Sequence, residues 1–198
     1  MTTLVVVQKA GQIAIAADSL VTFGDTRMEH RFETNSKIFT VQTPTGISYI
    51  GMAGTAAHFP VMKKAMSALP IDQLQLDSRD AVFETFSRLH PVLKESFFLL
   101  TKEEDNDPYE SSQFTAVIAN ASGIYGAYSY REIFEFKQFW SIGSGRSFAL
   151  GAMHAAWELL DSAEAIALAG MNAGCAFDKN SAAPIDIHTL SLKAADSP

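Results

Sequence analysis

An α+β fold, with antiparallel sheets covered by pairs of helices, is what this sequence predicts, and three observations carry the prediction. Runs rich in β-branched residues come in pairs joined by short turns containing Gly or Pro, the marks of hairpins. Apolar residues at helical spacing come in separate blocks, and the resulting order is strands, helices, strands, helices, strand. The chain has 198 residues, 47% hydrophobic and 19% charged, which is enough to bury one substantial core, so 1–198 is read as a single domain.

Taken in order, residues 3–7 and 12–17 flank Gln8-Lys9-Ala10-Gly11, a turn with Gly where positive φ is best tolerated. Lys37–Gln42 and Ile47–Met52 flank Thr43-Pro44-Thr45-Gly46 and form a second hairpin. Ala56 to Leu69 is helical by spacing. Val82, Phe86, Leu89, Leu93, Phe97 and Leu100 continue such a stripe through Arg79–Leu100, with a kink expected at Pro91. The acidic stretch Glu103–Glu110 reads as a surface loop. Strands are expected at 113–119, 123–129, 133–137 and 185–192, and helices at 146–160 and 163–175. The helix Ser147–Leu160 holds Ala149, Gly151, Ala152, Ala155 and Ala156, so another element can approach it closely, either inside the fold or from a partner.

Composition narrows the function. A formal net charge of −7 disfavours nucleic acid or an anionic membrane as partner, because such binding needs clustered Lys and Arg. No apolar run reaches the ~20 residues of a membrane span. The N-terminus lacks the basic and apolar regions of a secretory signal, and Lys9 follows the apolar run, so a cytoplasmic location is expected. A single cysteine, Cys175, allows no internal disulfide and no cysteine cage for a metal. The five histidines lack zinc-binding spacing, and no metal or other cofactor is implied. Gly143-Ser144-Gly145 lacks the intervening residues of a nucleophile elbow and reads as a turn before a helix.

The opening "MTTLVVV" places two threonines at the very start of a strand. Once Met1 is removed, which a small second residue permits, Thr2 carries both a hydroxyl and a free α-amine. The hydroxyl is a weak nucleophile at neutral pH, and an amine of pKa about 7.7–8.0 is near the right value to accept its proton. Such a residue needs a cation to keep the amine neutral, a carboxylate to hold that cation, and N–H groups for the oxyanion.

The rest of the chain offers them in order. Thr2-Thr3-Leu4, then Asp18 with Thr22 in "AADSLVTFG", then Lys37 in "KIF" leading to "GMAGTAA" at Gly51–Ala57, then "SIGSG" at Ser141–Gly145, then Asp178-Lys179-Asn180-Ser181, together resemble the proteasome β-subunit and HslV superfamily of N-terminal-nucleophile hydrolases. Each fragment alone has an ordinary reading: a turn at Asp18-Ser19, a solvated strand end at Lys37, a helix-terminal loop at Asp178. Their order and spacing over nearly the whole chain carry the resemblance. About three extra residues stand between Asp18 and Lys37, around His30–Asn35. An ungapped register would place Thr34 at the lysine position, whereas the following strand and "GMAG" align from Lys37. Within the superfamily the chain is most like the bacterial proteasome homologue of β-proteobacteria.

The resemblance implies a four-layer αββα sandwich of two antiparallel sheets between helices. It implies Thr2 as nucleophile, Lys37 and Asp18 as its tuning pair, and Gly54 N–H as oxyanion donor. Ser144, Asp178 and Ser181 would hold the amine. Val21, Thr22, Met52 and Ala56 match substrate-binding positions, and an apolar pocket there would favour apolar residues. It also implies unfolded protein or peptide substrates, self-association into stacked six- or seven-membered rings, and an ATPase unfoldase as the candidate partner. The rival readings are a non-catalytic ring subunit resembling proteasome α subunits, which carry extra residues before the first strand, and a small-molecule amidohydrolase, which more often opens on Cys or Ser.

Overall fold

The computed structural model describes residues 2–32, 35–101, 109–129 and 131–193. Its first hairpin pairs β1 (Thr3–Lys9) with β2 (Gln12–Asp18), from Leu4 opposite Ala17 to Lys9 opposite Gln12. Ala10 and Gly11 between them have φ of 51° and 73°, the left-handed pair of a two-residue hairpin turn. Both faces of the hairpin are buried, which is why its sequence reads as a nearly continuous apolar run. Leu4, Val6, Ile13 and Ile15 enter the core between the sheets, while Val5, Val7, Ala14 and Ala16 pack outward against helices.

Two short strands follow, β3 (Val21–Phe23) and β4 (Thr26–Met28), paired across Gly24 and Asp25. The sequence reading did not include them, since three residues are too few to display an alternation. β5 (Ile38–Thr43) and β6 (Gly46–Ala53) form the expected second hairpin. Next come α1 (His58–Ala68) and α2 (Arg79–Ser96). Ser78 caps α2 by accepting from Ala81 N at 3.2 Å. The helix runs through Pro91 and stops at Ser96 rather than Leu100, with Phe98 turned to a φ of 56°.

Most of the acidic stretch Glu103–Glu110 lies outside the described residues. Beyond it come β7 (Thr115–Asn120), β8 (Gly123–Ala127), β9 (Ile133–Phe136) and β10 (Phe139–Gly143). β10 was not foreseen, and it forms one edge of the first sheet, beside β1. The chain then forms α3 (Arg146–Ala156), α4 (Ala163–Phe177) and β11 (Ile185–Ser191).

The strand orders are β10-β1-β2-β11 and β5-β6-β7-β8-β9, with every pairing antiparallel. Three apolar clusters define the layers. One lies between the sheets, one joins the five-stranded sheet to α1 and α2, and one joins the four-stranded sheet to α3 and α4. This is the α+β sandwich the sequence predicts. Ala149 of the small-residue helix serves internal packing, whereas a Cβ at Gly151 would meet open space. Lys9 donates to the carbonyls of Trp157 and, at 2.8 Å, Leu160, and so ties the first hairpin to the end of that helix. No helix among the described residues is long and apolar enough to cross a membrane.

Candidate active site

Pairing of β1 with β10 begins at Thr3 opposite Gly143, which leaves Thr2 just beyond the last rung of the sheet. Its carbonyl accepts from Gly145 N at 3.3 Å, and its nitrogen donates to Ser144 Oγ at 3.3 Å. The approach is close enough to require glycine. A Cβ on Gly143, whose φ is +93°, would lie 2.0 Å from the Thr2 carbonyl oxygen. On the other face, a Cβ on Gly174 of α4 would lie 2.4 Å from Thr3 Cγ2.

Asp18 ends β2 fully buried, and four donors converge on it. Oδ1 accepts from Thr3 N at 3.0 Å and from Lys37 Nζ at 2.8 Å; Oδ2 accepts from Leu20 N at 3.0 Å and Ala182 N at 3.2 Å. These occupy the four lone-pair sites of a carboxylate. Lys37 arrives from the segment leading into β5 and is 3% exposed. Burial holds its ammonium below the ordinary lysine value, against the opposing pull of Asp18. A dry, pre-placed positive charge with a lowered proton affinity results.

Asp178, just past α4, accepts on Oδ2 from Ser144 Oγ at 2.6 Å and Ser181 Oγ at 2.7 Å, and on Oδ1 from Asn180 N at 3.2 Å. Burial pushes its carboxyl pKa up, but these bonds outweigh it and hold the group below the usual aspartate value. Ser181 Oγ also lies 2.7 Å from Thr3 Oγ1. The expected Ser144, Asp178 and Ser181 are thus brought together around the first two threonines. Cys175 is the other nucleophilic side chain in their field, and burial, chiefly, pushes its thiol up to about 11.

Thr2, Lys37 and Gly54 line one cleft of about 1050 Å³. Gly54 follows β6 with a φ of +142°. Val21, Thr22 and Ala56 also line this cleft, as the sequence reading expects. Met52 does not: it is fully buried between the five-stranded sheet and its helices, with Ile50. Strand parity is the reason, since Met52 and Ala53 must face opposite sides of β6 and Ala53 takes the cleft. Met28 and Phe59 supply apolar wall in its place; Met28 was not singled out because the β3–β4 hairpin was not seen, and Phe59 because helical spacing alone does not say that the start of α1 faces the cleft. His58 was also missed. Its Nδ1 would lie 3.6 Å from a Cβ at Gly54, has no hydrogen-bond partner among the described residues, and burial lowers its pKa. Thr34, the alternative for the lysine position, lies outside the described residues, as does Met1.

No family model matches this sequence, and no curated protein does. Solved structures do. The bacterial proteasome homologue of Thiobacillus denitrificans superposes over 98% of this chain and 100% of its own, with a TM-score of 0.86 and 34% identity. This chain belongs to the proteasome β-subunit/HslV superfamily. The same homologue in complex with epoxomicin superposes over 96% of this chain and 99% of its own, at a TM-score of 0.85 and 34% identity. HslV from Trypanosoma brucei, at 19% identity and a TM-score of 0.69, shares the fold over 96% of this chain and 99% of its own. The protein is therefore a proteasome-type subunit with the N-terminal-nucleophile hydrolase fold, and within the superfamily it is similar to the β-proteobacterial homologue.

Proposed function

We propose that this protein is a threonine endopeptidase, the subunit of a self-compartmentalising ring, and that Thr2 becomes its nucleophile when Met1 is removed. The observation that carries the reading is the buried Lys37–Asp18 pair at 2.8 Å, whose ammonium lines the same cleft as Thr2. A lysine desolvated at a strand end has no packing reason to be there, and replacement of such a pair by apolar residues is often stabilising.

The chemistry follows from the groups present. Thr2 Oγ1 attacks the scissile carbonyl carbon, and its proton passes to the Thr2 α-amine, directly or through water. The Lys37 charge depresses that amine's pKa so that it is neutral and able to accept. Gly54 N–H receives the oxyanion. Collapse breaks the C–N bond, the α-ammonium returns its proton to the leaving amine, and an ester on Thr2 remains. Water hydrolyses the ester and restores the hydroxyl. Ser144, held by Asp178 beside Ser181, orients the amine throughout. The apolar wall of Val21, Ala56, Met28 and Phe59 favours an apolar residue on the acyl side, with Thr22 beside it.

The test is labelling by epoxomicin, followed by intact-mass measurement, on the protein and on Thr2→Ala. Active protein should lack Met1, carry one adduct at Thr2, and sediment as a ring. Thr2→Ala should still assemble, take no adduct and cleave no peptide. An adduct on Thr2→Ala, or peptidase activity in material that wholly retains Met1, overturns the assignment. A protein that forms rings, loses Met1 and never cleaves any peptide is a structural subunit instead.

A further inference from the structure

A second groove, of about 450 Å³, meets the catalytic cleft at Ala53, Gly54 and Gly143, which line both. Beyond those shared residues the two diverge. The first runs along Val21, Met28 and Phe59; the second runs the other way, past Thr115 and Ser141 to Tyr128, Trp140 and Arg146. A polypeptide with its acyl half in the first and its carbonyl at Gly54 therefore has its leaving half facing the second.

The far wall of this groove is held by ring stacking and hydrogen bonds and is rich in donors. Trp140 stacks on Phe136 with ring centroids 5.0 Å apart and 12° between planes, and its Nε1 donates to Tyr128 Oη at 2.6 Å. That bond fills the acceptor side of the phenol, and its own O–H is left to donate. Burial, chiefly, raises the Tyr128 pKa, so the proton stays. Arg146, the first residue of α3, is exposed and donates from Nη1 to the Gly143 carbonyl at 3.2 Å. Among the described residues no carboxylate pairs with it, in a chain whose net charge is −7. The acid whose field reaches Tyr128 is the exposed Glu132.

We infer that this groove is the leaving-group subsite and that it selects, through Arg146 and Tyr128, substrates with an acidic side chain within two residues after the scissile bond. A guanidinium and a phenol with uncommitted N–H and O–H donors match a carboxylate, and the Trp140 face accepts the methylenes that carry it. A lysine in the same place would meet Arg146 as a like charge. The inference rests on the peptidase reading above and adds the substrate class that reading leaves open.

The experiment uses mature ring protein and two peptide sets with one apolar acyl half. One set ends in a chromogenic leaving group; the other continues past the scissile bond with Glu, Gln or Lys in the first or second position. Turnover of the chromogenic set tests the peptidase reading, and its absence overturns that reading together with this one. Given turnover, kcat/KM should be about fivefold higher for Glu than for Lys, the scale of a partly exposed charge pair. The ratio should fall to unity in Arg146→Gln and invert in Arg146→Glu. Each variant is scored by its own Glu-to-Lys ratio, so a change in its overall rate does not enter. In the unmodified protein the ratio should also shrink as salt rises from about 50 mM to about 500 mM, where screening shortens to a few ångströms. A ratio near one in the unmodified protein, or one that persists in Arg146→Gln, overturns the subsite while leaving the peptidase reading intact.

Discussion

Against the four-stranded sheet, whose first strand follows Thr2, α4 presents Ala163, Ile166, Ala167, Met171 and, at its end beside Thr3, Gly174; against the five-stranded sheet, α1 and α2 present Met62, Met66, Phe86 and Leu89. Both helix layers use large apolar side chains, and they differ most at the end of α4. Large, adaptable side chains fill the space under α1 and α2, and methionine in particular repacks around small changes. At Gly174, in the last turn of α4, backbone nearly meets Thr3, and a Cβ there would find three Thr3 side-chain atoms between 2.4 and 2.9 Å. Close approach there leaves the first strand's end no room to shift toward α4, while side chains that can repack line the other layer.

The two halves meet at Lys37 and Asp18, so the largest effect is expected at that joint. Lys37→Ala should cut peptide turnover by roughly 10²–10⁴. It should also cost about 3–5 kcal/mol in a urea titration, because Asp18 is left buried without its countercharge. Lys37→Arg should fail substantially too, since a planar fork cannot occupy the point between Asp18 and Thr2. Turnover at the unmodified rate in Lys37→Ala would show the two sheets to be joined for stability alone.

Next in size is the contrast between the layers themselves. Gly174→Ala should destabilise by about 1–3 kcal/mol through overpacking on Thr3, reduced by the ~1 kcal/mol of helix propensity that alanine returns. It should slow turnover as well. Met66→Leu, a fully buried change of shape without change of volume, should cost under about 1.5 kcal/mol and leave turnover alone. Equal losses in the two variants would erase the distinction between a positioning layer and a filling layer.

The smallest effect concerns pH. Asp178 is held below its ordinary value of 3.8 in the folded chain, so the unfolded chain binds its proton first. Its contribution is full above about pH 3.8 and is lost as pH falls through the lower folded value. Asp178→Asn should therefore reduce stability at neutral pH and flatten the acid limb of stability against pH. An acid limb identical to that of the parent protein would place the acid sensitivity elsewhere.

How much of this was legible in the sequence depended on periodicity and length. The two long hairpins showed themselves because strands of six to eight residues display burial and turn chemistry together. The β3–β4 hairpin did not, its strands being three residues each, and neither did β10, where Ser141 and Gly143 interrupt the apolar run. Thr2, Asp18, Lys37 and Gly54 were found through motif order, since nothing in the local sequence says that a lysine at 37 reaches a carboxylate at 18. Met52 was misplaced by reading a motif without the parity of its strand. Arg146 carried no signal at all, because the groove it lines is made by residues from three strands, a helix and the segments just past β6 and β8.

The hydrogen bonds described for Thr2 and Thr3 all use atoms that lie on the far side of the bond joining Met1 to Thr2. Breaking that bond removes none of them. Under the proposed function, the step from latent to competent subunit is thus a change of one functional group, an amide becoming an amine, with the described bonds of Thr2 and Thr3 already in place. On that reading maturation asks for no new bond around the first two threonines, and the timing of activity rests on when a single peptide bond is cut.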